Sequence, residues 1–299
     1  MATYNREHYI VEALNTIRKQ TYTNWECLII DDGCTDNTEN KIASVLKIDS
    51  RFKFLKRPHT HKKGLPGCRN YGLEMAKGDY IIFFDDDDMV HPLNLEICLS
   101  ALAKNSKASF CNYKKQSFTG TFDYEIDLGL DFNYKETDST LLEDVVTQVV
   151  PFASCTVLWK RNCFEENRFN EDLMYAEEWE CYQRILSERI MGIIIDKVLY
   201  FNRKHEASNT GQFWSNAPAR VNSKKSAIEL VTFNLVEKVL LTPRLFKYLV
   251  NLAIGFRDLK LVKNVLKISK ANRRSRLFIT FKYWLFPVWV FYKNKIKKT

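Results

Sequence analysis

Four aspartates stand side by side at Asp85, Asp86, Asp87 and Asp88, directly after the apolar run YIIFF. Adjacent carboxylates repel one another, so within a strand or a helix such a run opposes folding and asks for a positive partner. Two ordinary uses account for part of it. Pro92 followed by LNLEICLSALA reads as a helix start, whose free N–H groups and positive dipole end would take Asp88 as a cap. A charge run can also be a solvated loop. Neither explains the position at the end of a β-rich segment, where open α/β sheets bind their ligands. Hard divalent cations bind carboxylate oxygens together with substrate phosphates, which makes a metal–diphosphate site the sharper reading. A second acidic pair, Asp31-Asp32, ends WECLIIDD, and a third, Glu177-Glu178, opens the helical pattern EEWECYQRIL. An ordinary Asp-Gly turn would also explain the second pair, and a helix dipole the third.

The elements around these residues alternate. YNREHYIVEALNTIRKQ places Ile10, Ala13, Leu14 and Ile17 at helical spacing and predicts an amphipathic helix opened by Thr3 and Asn5. WECLIIDD reads as a strand; GCTDNTENKIASVLK reads as a turn and helix, with Thr35 or Asp36 at the N-cap. FKFLKR is a short strand, HKKGLPGCRNYG a Gly-rich loop entering a helix that reaches Met75, and YIIFF another strand. ASFCNYKK and ASCTVLWKR follow as later strands, separated by a polar stretch from about 116 to 150. This order predicts βαβ units, a mostly parallel sheet, and two acidic clusters directed into one crevice.

The chain has 299 residues, 45% hydrophobic and 27% charged, enough to bury a full core and too apolar to be disordered. Its eight cysteines form no CxxC pair, so neither zinc nor a disulfide framework is indicated, and reduced thiols in the cytoplasm are expected. Neither a signal peptide nor a stretch of about 20 apolar residues is visible. Residues 211–299 carry 19 Lys/Arg against 3 Asp/Glu, a net of +16; the whole chain is +9, so residues 1–210 are net negative. Two regions are therefore expected, 1–210 and a basic, helical 211–299. No nucleic-acid motif is present, and the acidic front half argues against that partner.

Five stretches, in order, give residues 1–210 a family resemblance: ATYNRE, QTYTNWECLIIDDGCTD, GLPGCRNYGLEMAKGDYIIFFDDDDMVHP, FNEDLMYAEEWECYQRI and FNRKHEASNT. Together they resemble the inverting glycosyltransferases of family 2, which have the nucleotide-binding GT-A fold. The resemblance implies an α/β, Rossmann-like domain that binds a nucleotide-sugar donor, most simply a UDP-sugar, with Mn2+ or Mg2+. It implies that Thr3 and Asp32, with Asp31 alongside, hold the base and ribose, and that Arg69 and Asn70 organise the donor pocket. The DxD element maps onto Asp85, Asp86 and Asp87, with Asp87 on the metal and Asp85 on ribose or metal-bound water. Glu178 is implied as the base that takes the acceptor's proton, with Glu177 as understudy and Trp179 as either acceptor platform or core. Arg203, His205 and Ser208 resemble a loop that closes over the diphosphate, the arginine pairing with phosphate and the histidine with metal or phosphate.

Relatives of this kind have a strand such as VSVIIP before TYN, whereas this sequence reads MATYN. The expectation is a shortened first strand, and the alternative to an active enzyme is an inactive relative that serves as a membrane-associated binding protein or is a gene remnant. Near the other end, LFITFKYWLFPVWVFY lies between RRSR and KNKIKKT. Sixteen helical residues span roughly 24 Å, short of the roughly 30 Å hydrocarbon core, and Lys282 and Pro287 are expected to interrupt them. Aromatic and aliphatic residues flanked by cations suit an anionic membrane surface. The expected setting is the inner face of the plasma membrane, with a glycan or lipid-linked acceptor.

Overall fold

The computed structural model describes residues 1–123, 125–205 and 209–296. The chain divides into two compact units, Met1–Val221 and Asn222–Thr299. The first opens with β1 (Ala2–Thr3), α1 (Ile10–Arg18), β2 (Cys27–Asp31), α2 (Thr38–Ile48), β3 (Phe52–Lys56) and α3 (Leu65–Met75). It continues through β4 (Tyr80–Ile81), β5 (Met89–Val90), α4 (Asn94–Lys104), β6 (Ala108–Phe118), β7 (Tyr134–Thr137), α5 (Leu141–Val146), β8 (Val157–Lys160), α6 (Glu177–Leu186), β9 (Met191–Arg203) and α7 (Asn209–Trp214). The remaining helices are α8 (Pro218–Glu237), α9 (Pro243–Gly255), α10 (Leu259–Ile268) and α11 (Arg273–Ile296).

The first three strands form a parallel sheet in the order β1-β2-β3. A second, mixed sheet runs β4-β8-β6-β9-β5, with β7 added on β9. The alternating strands and helices thus give the expected α/β architecture. The long pair β6 and β9 is parallel, whereas β8 is antiparallel to both β4 and β6. One apolar cluster, including Ile10, Leu14, Ile29, Ile97, Cys111, Ile193 and Leu199, sits between the sheets and helices α1, α2 and α4. All eight cysteines are free thiols, five of them buried.

Several local expectations need correction. The helix expected to open at Thr3 and Asn5 begins at Ile10, because Thr3 lies in β1, where its carbonyl accepts from Asp32 N–H, and Asn5 turns the chain at φ +54°. α2 begins at Thr38 after Asn37; Asp36 nonetheless satisfies its first N–H through Oδ1, while Thr35 is tied to Asn5. Asp88 caps no helix: α4 starts at Asn94, too far along the chain, and the Asp88 carboxylate instead accepts from Arg203 N–H at 2.7 Å. Of YIIFF, only Tyr80 and Ile81 join a ladder.

In the second unit, α9 and α10 are capped by Thr242 and Asp258, whose side chains accept from Leu245 N–H and from Lys260 and Leu261 N–H. α11 runs unbroken for 24 residues, through both Lys282 and Pro287, correcting the expected interruption. Lys282 Nζ donates to Asn251 and Tyr283 Oη to the Arg257 carbonyl, so both polar groups serve the packing of the helix instead of ending it. Among the described residues, no helix is long and apolar enough to cross a membrane.

Candidate active site

Both acidic clusters lie at carboxyl ends of strands because each follows a run of β-branched or aromatic residues that pairs and then stops. β2 ends at Asp31, and Gly33, at φ +92°, lets the chain turn there. One Asp31 oxygen closes that turn by accepting from Gly33 and Cys34 N–H at 3.1 and 2.8 Å. Asp32 Oδ1 receives Arg57 Nε at 2.6 Å and Gly64 N–H at 3.2 Å, which fixes the loop before α3 against the end of β2. That loop passes so close to Gly67 that a Cβ there would lie 1.9 Å from the Lys62 carbonyl oxygen, so position 67 has no room for a side chain. Thr3 is buried at the same strand end, and its hydroxyl faces the Asp86 carboxylate.

The turn after β1 delivers a cation to the four aspartates. Asn5 is held by Thr35, and Arg6 N–H donates to Thr38 Oγ1, so the Arg6 guanidinium reaches Asp86 at 3.2 Å and Asp87 at 3.5 Å. His205 Nε2 lies 2.9 Å from Asp87 Oδ2, and Arg69 lies 3.8 Å from Asp85. The Asp85 N–H donates to Tyr200 Oη at 3.1 Å. Positive charge is therefore present among the carboxylates, yet it does not balance them. Burial and the charge of Asp87 push Asp86 up to about 7 against the pull of Arg6, and burial with Asp85 and Asp87 pushes Asp88 up to about 8. Burial in the cleft pushes Asp85 up as well, against Arg69.

A bound divalent cation would relieve this crowding, and the donor chemistry fits a hard one. Asp85, Asp88 and Cys155 bring potential ligand atoms within 4.8 Å of one another, and Asp87 stands with His205. Burial pushes the Cys155 thiol up, so it stays protonated and is a poor ligand beside carboxylates. Oxygen donors remain, which select Mg2+ or Mn2+ over softer metals.

The glutamate pair begins α6 after Ala176, which holds a left-handed backbone at φ +66°. Glu177 is buried, with Arg69 Nη1 at 2.8 Å on one oxygen and no partner among the described residues on the other. Burial and the neighbouring Glu178 push Glu177 up to about 8, opposed by Arg69, so Glu177 holds its proton tightly. Glu178 is half-buried and open to solvent. The two glutamates thus differ in access and environment, the arrangement by which one fold separates the roles of paired carboxyls.

Arg69 joins the parts. Fully enclosed, it donates to Glu177 and to Ser154 Oγ at 3.0 Å, faces Asp85, and packs beside the Phe83 and Phe169 rings, which touch each other edge to face. Asn70 clamps the segment leading to the glutamates: it donates to the Phe169 carbonyl and Glu171 and accepts from Phe169 N–H. Thus Thr3, Asp31 and Asp32 gather at one strand end, and Asp85, Asp86, Asp87, His205, Arg69 and Glu177 form a connected set. Arg203 is close by, but its guanidinium is taken by Glu12, the Asp87 carbonyl and the Gly120 carbonyl, and lies over the Tyr9 and Phe118 rings. Trp179 belongs to the core, donating Nε1–H to the Val146 carbonyl. Ser208 lies outside the described residues. Arg6, Arg57, Ser154 and Tyr200 carry no mark in the sequence reading; for Arg6 the available signal was an arginine directly after TYN in a protein with four aspartates to neutralise.

Comparison with known proteins bears on the family and the fold. The family described as Glycosyl transferase family 2 matches residues 1–161. An uncharacterized glycosyltransferase of Rickettsia conorii is 32% identical over 208 residues, covering 69% of this chain and 32% of that protein. The UDP-Glc:alpha-D-GlcNAc-diphosphoundecaprenol beta-1,3-glucosyltransferase WfgD of Escherichia coli is 41% identical over 106 residues, covering 36% of this chain and 40% of that one. This chain thus spans only about a third of the length of the first curated relatives it matches. Among solved structures, S. aureus TarS 1-349 in complex with UDP has a TM-score of 0.65 at 16% identity, covering 92% of this chain and 90% of that one. Mannosyltransferase PcManGT from Pyrobaculum calidifontis, in complex with GDP-Man and Mn2+, has a TM-score of 0.58 at 14% identity, covering 95% and 79%. These two likenesses are of fold.

Proposed function

The chain belongs to glycosyl transferase family 2, and from that premise we propose that it moves a sugar from a nucleotide-sugar donor to a glycan or lipid-linked acceptor with inversion at the anomeric carbon. The observation that carries this reading is Arg69: one buried guanidinium touches both Glu177 and Asp85, and so fixes the glutamate pair against the aspartate run. A transferase needs those two groups at the two ends of one displacement. The acceptor oxygen forms its bond to the anomeric carbon as the bond to the donor phosphate breaks. Its proton passes to the Glu178 carboxylate, and the electron pair leaves with the nucleoside diphosphate.

On this reading Thr3, Asp31 and Asp32 line the nucleoside end of the donor. Asp85 and Asp87, with His205, would hold Mn2+ or Mg2+, which supplies neutralisation of the departing diphosphate. Asp86, paired with Arg6, keeps the run in place. Asn70 and Arg203 act from behind the site, Asn70 by fixing the segment before Glu177 and Arg203 by holding the Asp87 carbonyl through Nε and the Asp88 carboxylate through its main-chain N–H. UDP is the favoured nucleotide, in line with the TarS complex, and GDP is the comparison.

Thermal melting of the full chain with UDP or GDP, each with and without Mn2+, tests the donor site. A ligand at a hundredfold excess over its Kd stabilises by about 2.7 kcal/mol, a shift of several degrees. The expected result is a UDP shift that requires Mn2+ and disappears in Asp87→Ala. Absence of a shift with either nucleotide would overturn the reading for this chain.

The acceptor side of the proposal includes a membrane surface on the cytoplasmic face. Leu277, Phe278, Phe281, Trp284 and Leu285 recur at helical spacing on α11, and each is 47–69% exposed. They share their unit with most of the net +16 of residues 211–299, a pairing that suits anionic lipid, at roughly 1 kcal/mol per basic residue near the surface. The relative WfgD is named for a lipid-linked acceptor, which such attachment would serve. Sedimentation with vesicles should show binding to phosphatidylserine-containing but not phosphatidylcholine vesicles, and its loss when Phe278, Phe281 and Trp284 become serine. Equal binding by that variant would remove α11 from the proposal.

A further inference from the structure

We propose that His61 is a positioning residue: as an imidazolium it ties the loop that holds Asp32 to α3 and to the segment leading into the glutamate pair, and the tie slackens when the ring loses its proton. Residues 57–64 run from the end of β3 to the start of α3. This loop grips Asp32 at both of its ends, through Arg57 Nε at 2.6 Å and Gly64 N–H at 3.2 Å. Arg57 Nη1 also donates to the His61 carbonyl, so one guanidinium holds both Asp32 and the main chain of His61.

The side chain reaches the other way. Nδ1 lies 2.7 Å from Glu171 Oε1, and Nε2 lies 3.2 Å from Oε1 of Glu74, in the last turn of α3. A neutral imidazole carries one N–H and presents a lone pair at its second nitrogen. With carboxylate oxygens at both nitrogens, only the doubly protonated ring makes two attractive contacts, and either neutral tautomer sets a lone pair against a negative oxygen. Burial alone would lower His61, yet the contacts with Glu171 and Glu74 raise it above its ordinary value. Glu171 moves in the matching direction: burial would raise it, while His61, Asn70 and the Lys62 N–H hold it below the usual carboxylate range. The other charged or titratable groups around the ring, among the described residues, are Tyr71 of α3, Arg57 and Lys62 of the loop itself, and Asp172, which pairs with Lys62.

Loss of the proton weakens both ties at once. The Glu171 side chain is 19% exposed and also accepts from Lys62 N–H and Asn70 Nδ2, so it keeps the N–H that remains, but without the charge that strengthened the bond. The Glu74 side chain is 51% exposed, and with a lone pair facing it the carboxylate turns to water. Asp32 stands at one end of this chain of contacts. At the other end are α3, which carries Arg69 and Asn70, and the segment of Glu171, which runs on to Glu177 and Glu178. A histidine raised in the folded state contributes stability in full below its unfolded value of about 6.5, and the contribution is lost as pH rises through the higher folded value. The slackening is therefore expected between pH 6 and pH 8.5. The joint itself stands on these contacts alone; its consequence for the donor rests on the reading of Asp32 as part of the nucleoside end.

Hydrogen exchange on the full chain, expressed as protection over the intrinsic rate, reads the joint at the Lys62 and Gly64 amides, which donate to Glu171 and Asp32. The expected result is protection that falls by about fivefold or more from pH 6 to pH 8.5 relative to the β6 amides, and that stays level in His61→Gln. Constant protection in the parent, or the same fall in His61→Gln, would overturn the proposal. If His61→Gln does not fold, Glu74→Gln decides from its half-exposed position: with the oxygen facing Nε2 gone, the fall should begin at lower pH, and an unshifted fall ends the idea. Neither nucleotide nor turnover is needed, so failure of the donor reading leaves this result intact. Calorimetry of UDP with Mn2+ at both pH values then reads the consequence. The parent should lose about threefold or more in affinity relative to His61→Gln as pH rises, and a constant ratio would confine His61 to stability and overturn its positioning role.

Discussion

Glu178→Gln is expected to lower kcat by about 10²- to 10⁴-fold, the usual contribution of a positioned general base, while leaving the nucleotide-dependent thermal shift unchanged. The amide keeps the shape and hydrogen-bonding length of the side chain but cannot take the acceptor's proton. Glu177→Gln is expected to behave differently. Its carboxyl is buried against Arg69 and pushed up to about 8, so it is poorly placed to receive a proton from an incoming hydroxyl. That variant should lose thermal stability first and show a smaller loss in kcat. Steady-state rates of nucleoside diphosphate release, with and without acceptor, separate the two. The reverse ranking would make Glu177 the base, and a loss under tenfold in both would remove the pair from the chemistry.

Sequence order exposed the parts of this site that are local. Asp31-Asp32 and Asp85 to Asp88 each follow an apolar run, and their position at strand ends could be read from those runs alone. What could not be read is pairing over distance. His205 meets Asp87 across 118 residues, and Arg57 meets Asp32 because β3 pairs with β2 in a parallel register that sets Lys56 opposite Asp31. The 13-residue β9 is hard to read in MGIIIDKVLYFNR, because a short apolar run there fits a buried helix segment as well as a strand. Trp179 was ambiguous because a tryptophan can serve as platform or core; the available Val146 carbonyl satisfies its N–H and permits burial. Asp88 was assigned by proximity to Pro92, but the next helix begins at Asn94 and an unpaired main-chain N–H at Arg203 is nearer. The α11 interruption expected at Lys282 fails for a similar reason: the ammonium finds Asn251 without leaving the helix.

The largest stability effect is expected from Arg69→Met. Methionine is close to arginine in length and can pack against the Phe83 and Phe169 rings, so the change removes charge and hydrogen bonds more than volume. Breaking a buried ion pair from one side costs about 3–5 kcal/mol, because the partner is left enclosed and unneutralised. Here that partner is Glu177, with Ser154 losing its donor and Asp85 its nearest guanidinium. Glu177 is already pushed up to about 8, and losing Arg69 raises it further, so at low pH it folds protonated and the cost is smallest. A carboxyl raised in the folded state contributes stability below its unfolded value, and that contribution is lost as pH rises through the folded one. The deficit of Arg69→Met relative to the parent should therefore stay level from pH 5 to pH 7 and grow as pH passes about 8, where the parent's Glu177 ionises against Arg69 and the variant's does not. Adding Glu177→Gln removes the titrating group, and the double variant should lose the pH-dependent part of the deficit. Denaturant unfolding of the four proteins closes the cycle. A loss below about 1 kcal/mol, or simple additivity of the two changes, would show that Arg69 does not neutralise Glu177, and the link between the aspartates and the glutamates would have to be sought elsewhere in the cleft.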